Sequence, residues 1–123
     1  WVTFSSATPL QYALADYLKE PAHYLGLSDF YQKKRDLFAS QFAKSAWKVL
    51  PSAGSFFQCL DYSAISNEKD IDLADRLTRE IKVASIPVSV FYEMDPGDKI
   101  LRFCFAKEDE VLLEAAKRLV QLA

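Results

Sequence analysis

The sequence predicts an α/β (α+β) domain in which a small mixed or antiparallel sheet is covered by helices. Its 123 residues, half of them apolar and nine of them Phe, are enough for one hydrophobic core. Apolar residues recur at helical spacing in the first 45 residues, after residue 70 and after residue 108. Between these regions lie short apolar or β-branched runs bounded by turn residues, which are typical of strands. The predicted order is helix, helix, strand, strand, helix, one or two short strands, strand, helix.

The first helix is predicted to begin at a capping box. Thr8 is the expected N-cap, Pro9 suits the first helical position, and Gln11 completes the box. The helix runs to about Glu20, and Pro21 ends it.

A linking turn over residues 21–26 leads to a longer second helix over residues 28–45. Apolar side chains at helical spacing predict which side of this helix faces the core. The expected buried stripe is Phe30, Leu37, Phe38 and Phe42, and the expected solvated side carries Lys33, Lys34 and Arg35.

The remaining elements follow from a change of period. Residues 47–50 and 55–62 predict two strands of a hairpin, joined by Pro51 and a Ser-Ala-Gly turn. Residues 83–90 are β-branched but interrupted by Pro87, which predicts a short strand followed by a loop or edge segment. A turn over 93–98 precedes a strand over 100–106. Helices are predicted over 70–81 and 108–122, with inward positions Ile71, Ala74, Leu77, Ile81, Val111, Leu112, Ala115, Leu119 and Leu122.

The composition argues against several classes of function. A net charge of −2 gives no electrostatic case for nucleic acid or an anionic membrane, and no apolar run approaches the ~20 residues that span a bilayer. The three glycines form no phosphate loop, and neither metal-ligand spacing nor a serine-hydrolase elbow is present. The single histidine, His23, is expected in a solvated turn, and Asp61 is expected to cap a strand end rather than act as an acid or base.

The two cysteines and the first residues bear on context. Cys59 and Cys104 lie in strand-like runs and are interpreted as reduced core residues of a cytosolic protein, in preference to a disulfide. The first residues of this sequence show no basic n-region, so a signal peptide is not predicted from them. Because the chain opens on Trp1 without Met, we expect a piece of a longer protein, with a processed N-terminus as the alternative.

Arg102 is the most informative residue, because it interrupts the apolar strand Ile100–Ala106. Arginine is seldom buried unless it is paired, and its planar fork matches a carboxylate or phosphate bidentately. The strand therefore predicts either an anion-binding arginine or a structural ion pair with one of the 17 acidic residues. Gly54, residues 86–89, Phe91 and Tyr92 could converge on Arg102, giving an anion half-site that lacks a nucleophile and a base.

Four stretches carry a resemblance to a known family. They are VTFSSATPLQ (2–11), PSAGSFF (51–57), VASIPVSVFY (83–92) and LRFCFAK (101–107). On these residues the chain resembles the C-terminal part of fold-type I, class I/II, pyridoxal 5'-phosphate (PLP)-dependent aminotransferases. The likeness is to the branch of methionine and kynurenine (glutamine) aminotransferases and runs from end to end.

The resemblance implies a role for each matching residue. Arg102 would pair with the substrate α-carboxylate, and Gly54 would be a structural turn glycine. Phe4 and Ser5 would reach toward the substrate pocket of the partner subunit in a homodimer, with an ordinary core position as the alternative for Phe4. The Pro87 segment would border the active site.

The resemblance also implies what the chain lacks. The PLP lysine and the residues that hold the cofactor would lie upstream of Trp1, so residues 1–123 are expected to be the small domain of a cytoplasmic aminotransferase and inactive alone. Methionine, glutamine, aromatic amino acids or kynurenine would donate the amino group to a 2-oxo acid. Two alternatives remain: a free-standing module that binds an amino acid or carboxylate without catalysis, and a protein-interaction domain using Trp1–Phe4.

Overall fold

The computed structural model describes residues 5–122, and the chain divides into two units, Trp1–Phe30 and Tyr31–Ala123. In the first unit, helix α1 spans Thr8–Tyr17 and helix α2 spans Ala22–Leu25. Every described side chain from residue 5 to residue 30 is exposed. The first unit therefore contributes nothing to the buried core.

The predicted capping box at the start of α1 is wrong. Ala7, with a non-helical ψ of 127°, precedes the helix, and no side chain caps it. Thr8 is consequently already helical, and Pro9 occupies the second position. Gln11 Nε2 donates instead to the Ser6 carbonyl oxygen at 2.8 Å. The linking turn after Pro21 is largely taken up by α2.

Helix α3, Leu27–Ser40, is shorter than predicted, because residues 41–46 form turns in place of a last helical turn. Phe38 and Phe42 are buried as expected, whereas Phe30 is half exposed. Lys34 and Arg35 are partly covered rather than fully solvated. Lys34 Nζ donates to the Lys107 carbonyl oxygen and pairs with Asp109, and Arg35 Nη1 donates to the Ser52 carbonyl oxygen.

Four short strands form one antiparallel sheet in the order β1-β2-β4-β3. The strands are β1 (Lys48–Val49), β2 (Phe57–Asp61), β3 (Ile86–Pro87) and β4 (Ile100–Cys104). The predicted hairpin is therefore confirmed as β1 and β2. Pro87 lies on an edge strand, as predicted, where its missing N–H breaks no central ladder.

The core lies on one face of the sheet. Helix α4 (Asp70–Arg76) continues into a π-helical turn, Leu77–Ile81, and helix α5 spans Asp109–Val120. Two predicted inward positions, Ile71 and Val111, are each 53% exposed. Four other predicted positions, Ala74, Leu77, Leu112 and Leu119, are buried as expected. Leu73 and Ala116, which were not predicted, are fully buried beside them. The members of the core cluster are Phe38, Phe42, Trp47, Leu60, Tyr62, Leu73, Ala74, Leu77, Val83, Leu101, Phe103, Phe105, Leu112, Ala116 and Leu119.

The alternation of β2 and β4 sends a second set of side chains to the opposite face. Leu60, Leu101 and Phe103 point into the core, whereas Cys59, Arg102 and Cys104 are half-buried on the other side. Both cysteines are free thiols. The prediction that they belong to the core is wrong, because each is one residue out of phase with the buried positions. No helix within residues 5–122 has the length and apolarity needed to cross a membrane.

Candidate functional site

Arg102 occupies the middle of β4, with a strand on each side. It lies opposite Cys59 of β2 and opposite Ile86 of β3. Its Cζ atom is 4.1 Å from the ring centroid of Phe57 and 4.8 Å from that of Phe91. These two aromatic contacts are favourable cation–π interactions that hold the guanidinium without neutralising it.

Arg102 has no acidic partner within residues 5–122. None of the ion pairs or side-chain hydrogen bonds in this part of the chain involves its guanidinium, and its Nε is buried without a hydrogen-bond partner. A buried donor without a partner carries a desolvation penalty of roughly 1–3 kcal/mol. The structural ion pair considered from the sequence is therefore wrong for the described residues.

The aromatic contact from Phe91 depends on the backbone turn that carries it. Ser89–Phe91 form a single 3₁₀ turn directly after β3. Asp70, which is 4% exposed, accepts hydrogen bonds from Ser89 N and Ser89 Oγ, both at 2.7 Å. This carboxylate thereby attaches the turn to the start of α4.

Sequence reasoning did not single out Asp70 or Phe57. The sequence does hold a signal for Asp70, because this carboxylate lies at helical spacing from Leu73 and Leu77, on the buried face of α4. For Phe57 the signal is strand alternation, since Phe57 shares a face with Cys59.

A groove of about 660 Å³ adjoins the guanidinium. Residues of β2, β3 and β4, of the segment before β3 and of α5 line it, among them Phe57, Ser85, Ile86, Arg102, Glu114 and Arg118. Ser85 Oγ is a second buried polar atom without a partner. The groove has the volume of a small-molecule site.

The Cys59 thiol stays in its neutral form beside this site. Burial raises the pKa of Cys59, and the opposing effect of the Arg102 charge on that pKa is smaller. A thiol with a raised pKa is a weak nucleophile, so the thiol adds bulk rather than reactivity to the arginine's surroundings.

The other residues considered from the sequence have different positions. Ser5 is exposed in the first unit, and Phe4 lies outside the described residues. Gly54 is in a bend with open space around it, and the positive φ of that bend falls on Ser55, at 70°. Tyr92 is half exposed. Of the predicted set, the structure brings Ile86 and Phe91 to Arg102.

Two polar residues have structural roles close to those predicted. Asp61 Oδ1 accepts a hydrogen bond from Ser63 N at 2.8 Å, which lowers the pKa of Asp61 and confirms the strand-end cap. His23 is exposed, but it lies in α2 rather than in a turn. Its ring stacks on Tyr17 at 4.1 Å, and its Nδ1 donates to the Tyr17 carbonyl oxygen.

A small antiparallel sheet with helices on one face defines an α+β domain, and comparison with known proteins identifies which one. A family model for aminotransferase class I and II matches residues 2–119. The chain therefore belongs to the class I and II aminotransferases, an enzyme family, and the resemblance stated from the sequence is confirmed.

Individual relatives agree with this assignment. The chain is 47% identical over 123 residues to the methionine aminotransferase of Escherichia coli (strain K12). This alignment covers 99% of this chain and 32% of the relative. It is 30% identical over 145 residues to the kynurenine–oxoglutarate transaminase of Dictyostelium discoideum, covering 99% and 33% respectively. The chain spans about a third of the length of these relatives.

Solved structures confirm the fold. The crystal structure of the Escherichia coli methionine aminotransferase superposes with a TM-score of 0.89 at 47% identity, over 98% of this chain and 32% of that one. N-Succinyldiaminopimelate aminotransferase from Mycobacterium tuberculosis superposes with a TM-score of 0.88 at 29% identity, over 99% and 32%. The predicted α+β class with a small sheet covered by helices is therefore correct.

Proposed function

We propose that this chain is the C-terminal small domain of a PLP-dependent aminotransferase, and that Arg102 binds the carboxylate of its substrates. One observation carries the proposal: a half-buried arginine held between two aromatic rings has no acidic partner within residues 5–122. A site that leaves a cation unpaired in this way is prepared for an anion from outside the domain.

The aromatic contacts explain how Arg102 would receive a carboxylate. Phe57 and Phe91 contact the guanidinium through their rings, whereas the N–H groups of a guanidinium point outward in its own plane. Those donors form the fork that binds a carboxylate bidentately. The groove beside Arg102 would hold the rest of the substrate.

A single arginine is sufficient for both halves of a transamination. The amino-acid donor and the 2-oxo acid acceptor carry the same carboxylate next to the reacting carbon. PLP, when bound, supplies the electron sink for the amino-group transfer. The resemblance assigns the residues that hold PLP to positions outside this chain, so the domain's own part is to bind and orient the carboxylate.

The proposed amino donors are methionine, glutamine, aromatic amino acids or kynurenine. The names of the relatives support this range, since they include a methionine aminotransferase and a kynurenine–oxoglutarate transaminase. Phe57 and Phe91 add support, because they offer apolar surface beside the arginine to a thioether or aromatic side chain.

We further propose that the complete protein is a cytoplasmic homodimer. In that dimer Phe4 and Ser5 would contribute to the substrate pocket of the partner subunit. The family resemblance supports the dimer, and the exposure of Ser5 is compatible with it. The two free cysteines support a reducing compartment.

The test is the substitution Arg102→Ala in the complete polypeptide that carries this chain, assayed with PLP, methionine and a 2-oxo acid. Truncating one partner of a desolvated ion pair costs about 2–5 kcal/mol, so we expect kcat/KM for both substrates to fall by roughly 30-fold or more. Arg102→Lys should recover only part of this loss, because an ammonium cannot form the bidentate pair.

Arg79→Ala is the matched control, because Arg79 is an exposed arginine whose partner, Asp75, lies one helical turn away. Its kinetics should equal those of the wild type. Wild-type kinetics for Arg102→Ala with either substrate would refute the assignment.

A further inference from the structure

The attachment between α4 and the turn after β3 is unusually complete. Asp70 Oδ2 accepts from Ser89 N at 2.7 Å, while Oδ1 accepts from Ser89 Oγ at 2.7 Å and from Ile71 N at 2.9 Å. One buried carboxylate therefore receives three donors, two of them from a residue that is 19 positions away in sequence. Short hydrogen bonds to an ionised carboxylate are stronger than neutral ones.

This attachment involves the same backbone turn that carries Phe91, one of the two rings that contact Arg102. Ser89 is the first residue of the 3₁₀ turn, and Phe91 is the last. Phe91 N donates to the Val88 carbonyl oxygen at 3.2 Å, and Tyr92 N donates to the Ser89 carbonyl oxygen at 3.0 Å. The position of the Phe91 ring is thus set through a turn whose first residue is attached to Asp70.

Packing around the Phe91 ring cannot replace this attachment. The ring is 61% exposed, so the core does not hold it in place. Its neighbour Val90 is also exposed, at 54%. Within residues 5–122, Phe91 therefore has little core packing, and its place 4.8 Å from the Arg102 Cζ depends on the backbone turn that carries it.

We propose that Asp70 and Ser89 are positioning residues for the carboxylate site: their hydrogen bonds keep Phe91 against Arg102 and so fix the direction of the arginine fork. The inference rests on the proposed function, because it assigns Arg102 to substrate binding. It predicts that loosening the attachment weakens binding of amino acid and 2-oxo acid alike, since both use the same arginine.

Substitution of Ser89 tests the attachment more selectively than substitution of Asp70, because it can remove a single hydrogen bond. Ser89→Ala removes the hydroxyl donor but keeps the backbone donor, so the chain should still fold. Ser89→Thr keeps the hydroxyl and is the conservative rescue. Asp70→Asn is the more drastic change, because an amide has a single acceptor oxygen and cannot receive the same three donors.

The first measurement is steady-state kinetics of the complete PLP-loaded polypeptide with methionine and with a 2-oxo acid. Losing one such hydrogen bond is expected to raise KM for both substrates in Ser89→Ala by about 3- to 10-fold, with kcat changed less than about twofold. Ser89→Thr should keep the wild-type KM. Wild-type KM values for Ser89→Ala would overturn the proposal.

Asp72→Asn is the matched control for Asp70→Asn. It makes the same change of charge in the same first turn of α4, at an exposed residue. We expect Asp70→Asn to raise KM at least as much as Ser89→Ala, and Asp72→Asn to leave it unchanged. An equal rise for both asparagine variants would mean that charge near the site acts, rather than the attachment to Ser89.

A double-mutant cycle tests whether Ser89 acts through the Phe91 ring. Phe91→Leu removes the aromatic contact with Arg102. In that background Ser89→Ala should raise KM by less than about twofold, because both substitutions act on the same contact. Additive effects of the two substitutions would overturn the positioning role.

Amide hydrogen exchange supplies a readout that does not depend on activity. Ser89→Ala and Asp70→Asn should accelerate exchange in residues 88–92, since the turn loses its attachment. Unchanged exchange there would overturn the proposal, as would faster exchange combined with an unchanged KM. Failure of the proposed function is distinguishable, because it would appear as wild-type kinetics in Arg102→Ala.

Discussion

Arg102 is stabilised at the residue level by aromatic faces rather than by an opposite charge. Phe57 and Phe91 offset part of the cost of holding a guanidinium in a half-buried position, and its Nε still lacks an acceptor. Natural domains seldom leave a buried donor unsatisfied unless the site has a use for it. The unpartnered Nε therefore supports the proposed carboxylate ligand.

Tyr62 shows the opposite case, a buried polar group that is fully satisfied. Its side chain is 0% exposed, and its hydroxyl donates to the Glu68 carbonyl oxygen at 3.0 Å. Burial raises the pKa of Tyr62 from 10.0 to about 12, and the nearby carboxylates of Asp70 and Glu68 add to the effect. The phenol therefore stays neutral in the fold well above the pH at which it ionises in the unfolded chain.

We predict that the unfolding free energy of Tyr62→Phe falls less steeply above pH 10 than that of the wild type. The folded pKa of Tyr62 is raised, so its contribution is fully present below pH 10 and is lost as the pH rises toward about 12. At pH 8 the variant should be less stable by about 1 kcal/mol, the net value of one hydrogen bond. The penalty stays small because the Glu68 carbonyl oxygen also receives Lys99 Nζ at 2.8 Å.

Urea unfolding at pH 8, 10 and 11 measures this difference. Tyr12→Phe is the control, since Tyr12 is 72% exposed and should keep the wild-type pH dependence. If Tyr62→Phe lost stability between pH 10 and pH 11 as steeply as the wild type, the buried phenol would not be the group responsible.

The connection between β2 and α4 is organised at the element level by Glu68. Its Oε1 receives Arg76 Nε at 3.1 Å and its Oε2 receives Arg76 Nη2 at 2.7 Å, a bidentate pair. Its backbone carbonyl oxygen receives Tyr62 and Lys99, the latter from just before β4. The connection thus joins α4 to the two central strands.

We predict that Glu68→Gln removes part of the acid sensitivity of the fold. Hydrogen bonding to Arg76 is the main reason that the pKa of Glu68 is lowered from 4.5. Because the folded pKa is depressed, the stabilisation is present above about pH 4.5 and is lost as the pH falls through the folded value. The pair is partly exposed, so the loss at pH 7 should be only about 0.5–1 kcal/mol.

Thermal unfolding between pH 3 and pH 7 measures this prediction, and Glu114→Gln is its control. Glu114 pairs with Arg118 one helical turn away on α5, and both side chains are more exposed than those of Glu68 and Arg76, so water screens this pair more strongly. We expect a smaller effect at pH 7 from Glu114→Gln than from Glu68→Gln. Equal effects would mean that the bidentate pair at Glu68 adds nothing to a simple surface pair.

At the scale of the whole molecule, stability is concentrated in the second unit. Within residues 5–122, the fifteen residues of the buried core cluster run from Phe38 to Leu119, and every residue from 5 to 30 in this range is exposed. Helix α1 has ten residues and none of them is buried. Isolated helices of this length are marginal in water, so α1 adds little to the stability of the chain by itself.

We predict that a chain beginning at Leu27, the first residue of α3, keeps the stability of residues 1–123. Its urea midpoint and m-value should be close to those of the longer chain, with a difference in unfolding free energy of less than about 1 kcal/mol, because every described residue from 5 to 26 is exposed. As a control, Phe38→Ala in the shorter chain should cost about 3–5 kcal/mol. Loss of cooperative unfolding in the chain from Leu27 would contradict the prediction.

The sequence by itself determined the order and approximate place of the elements in this protein. Helical and strand periods are local properties, and Pro87 marked an edge strand because proline lacks a ladder donor. The helical period alone did not fix which side chains at the edge of each apolar stripe are buried, as the exposed Ile71 and Val111 show. Neighbouring residues on a helix differ by only about a quarter of a turn, so the edge of a buried face is poorly defined by spacing. The motifs around Pro87 and Arg102 were specific enough to identify the family.

Only the tertiary structure decided what surrounds Arg102. From the sequence, an ion pair and an open anion site were equally good, because an acidic partner for Arg102 could come from any distant part of the chain and no local pattern shows whether one does. The register of β2 against β4 brings Phe57 to the guanidinium, and the turn after β3, which is hydrogen-bonded to Asp70, carries Phe91 to it. These contacts join residues that lie 11 to 45 positions from Arg102 or 19 from each other. No local pattern encodes such pairings, since packing and sheet register set them across the whole domain.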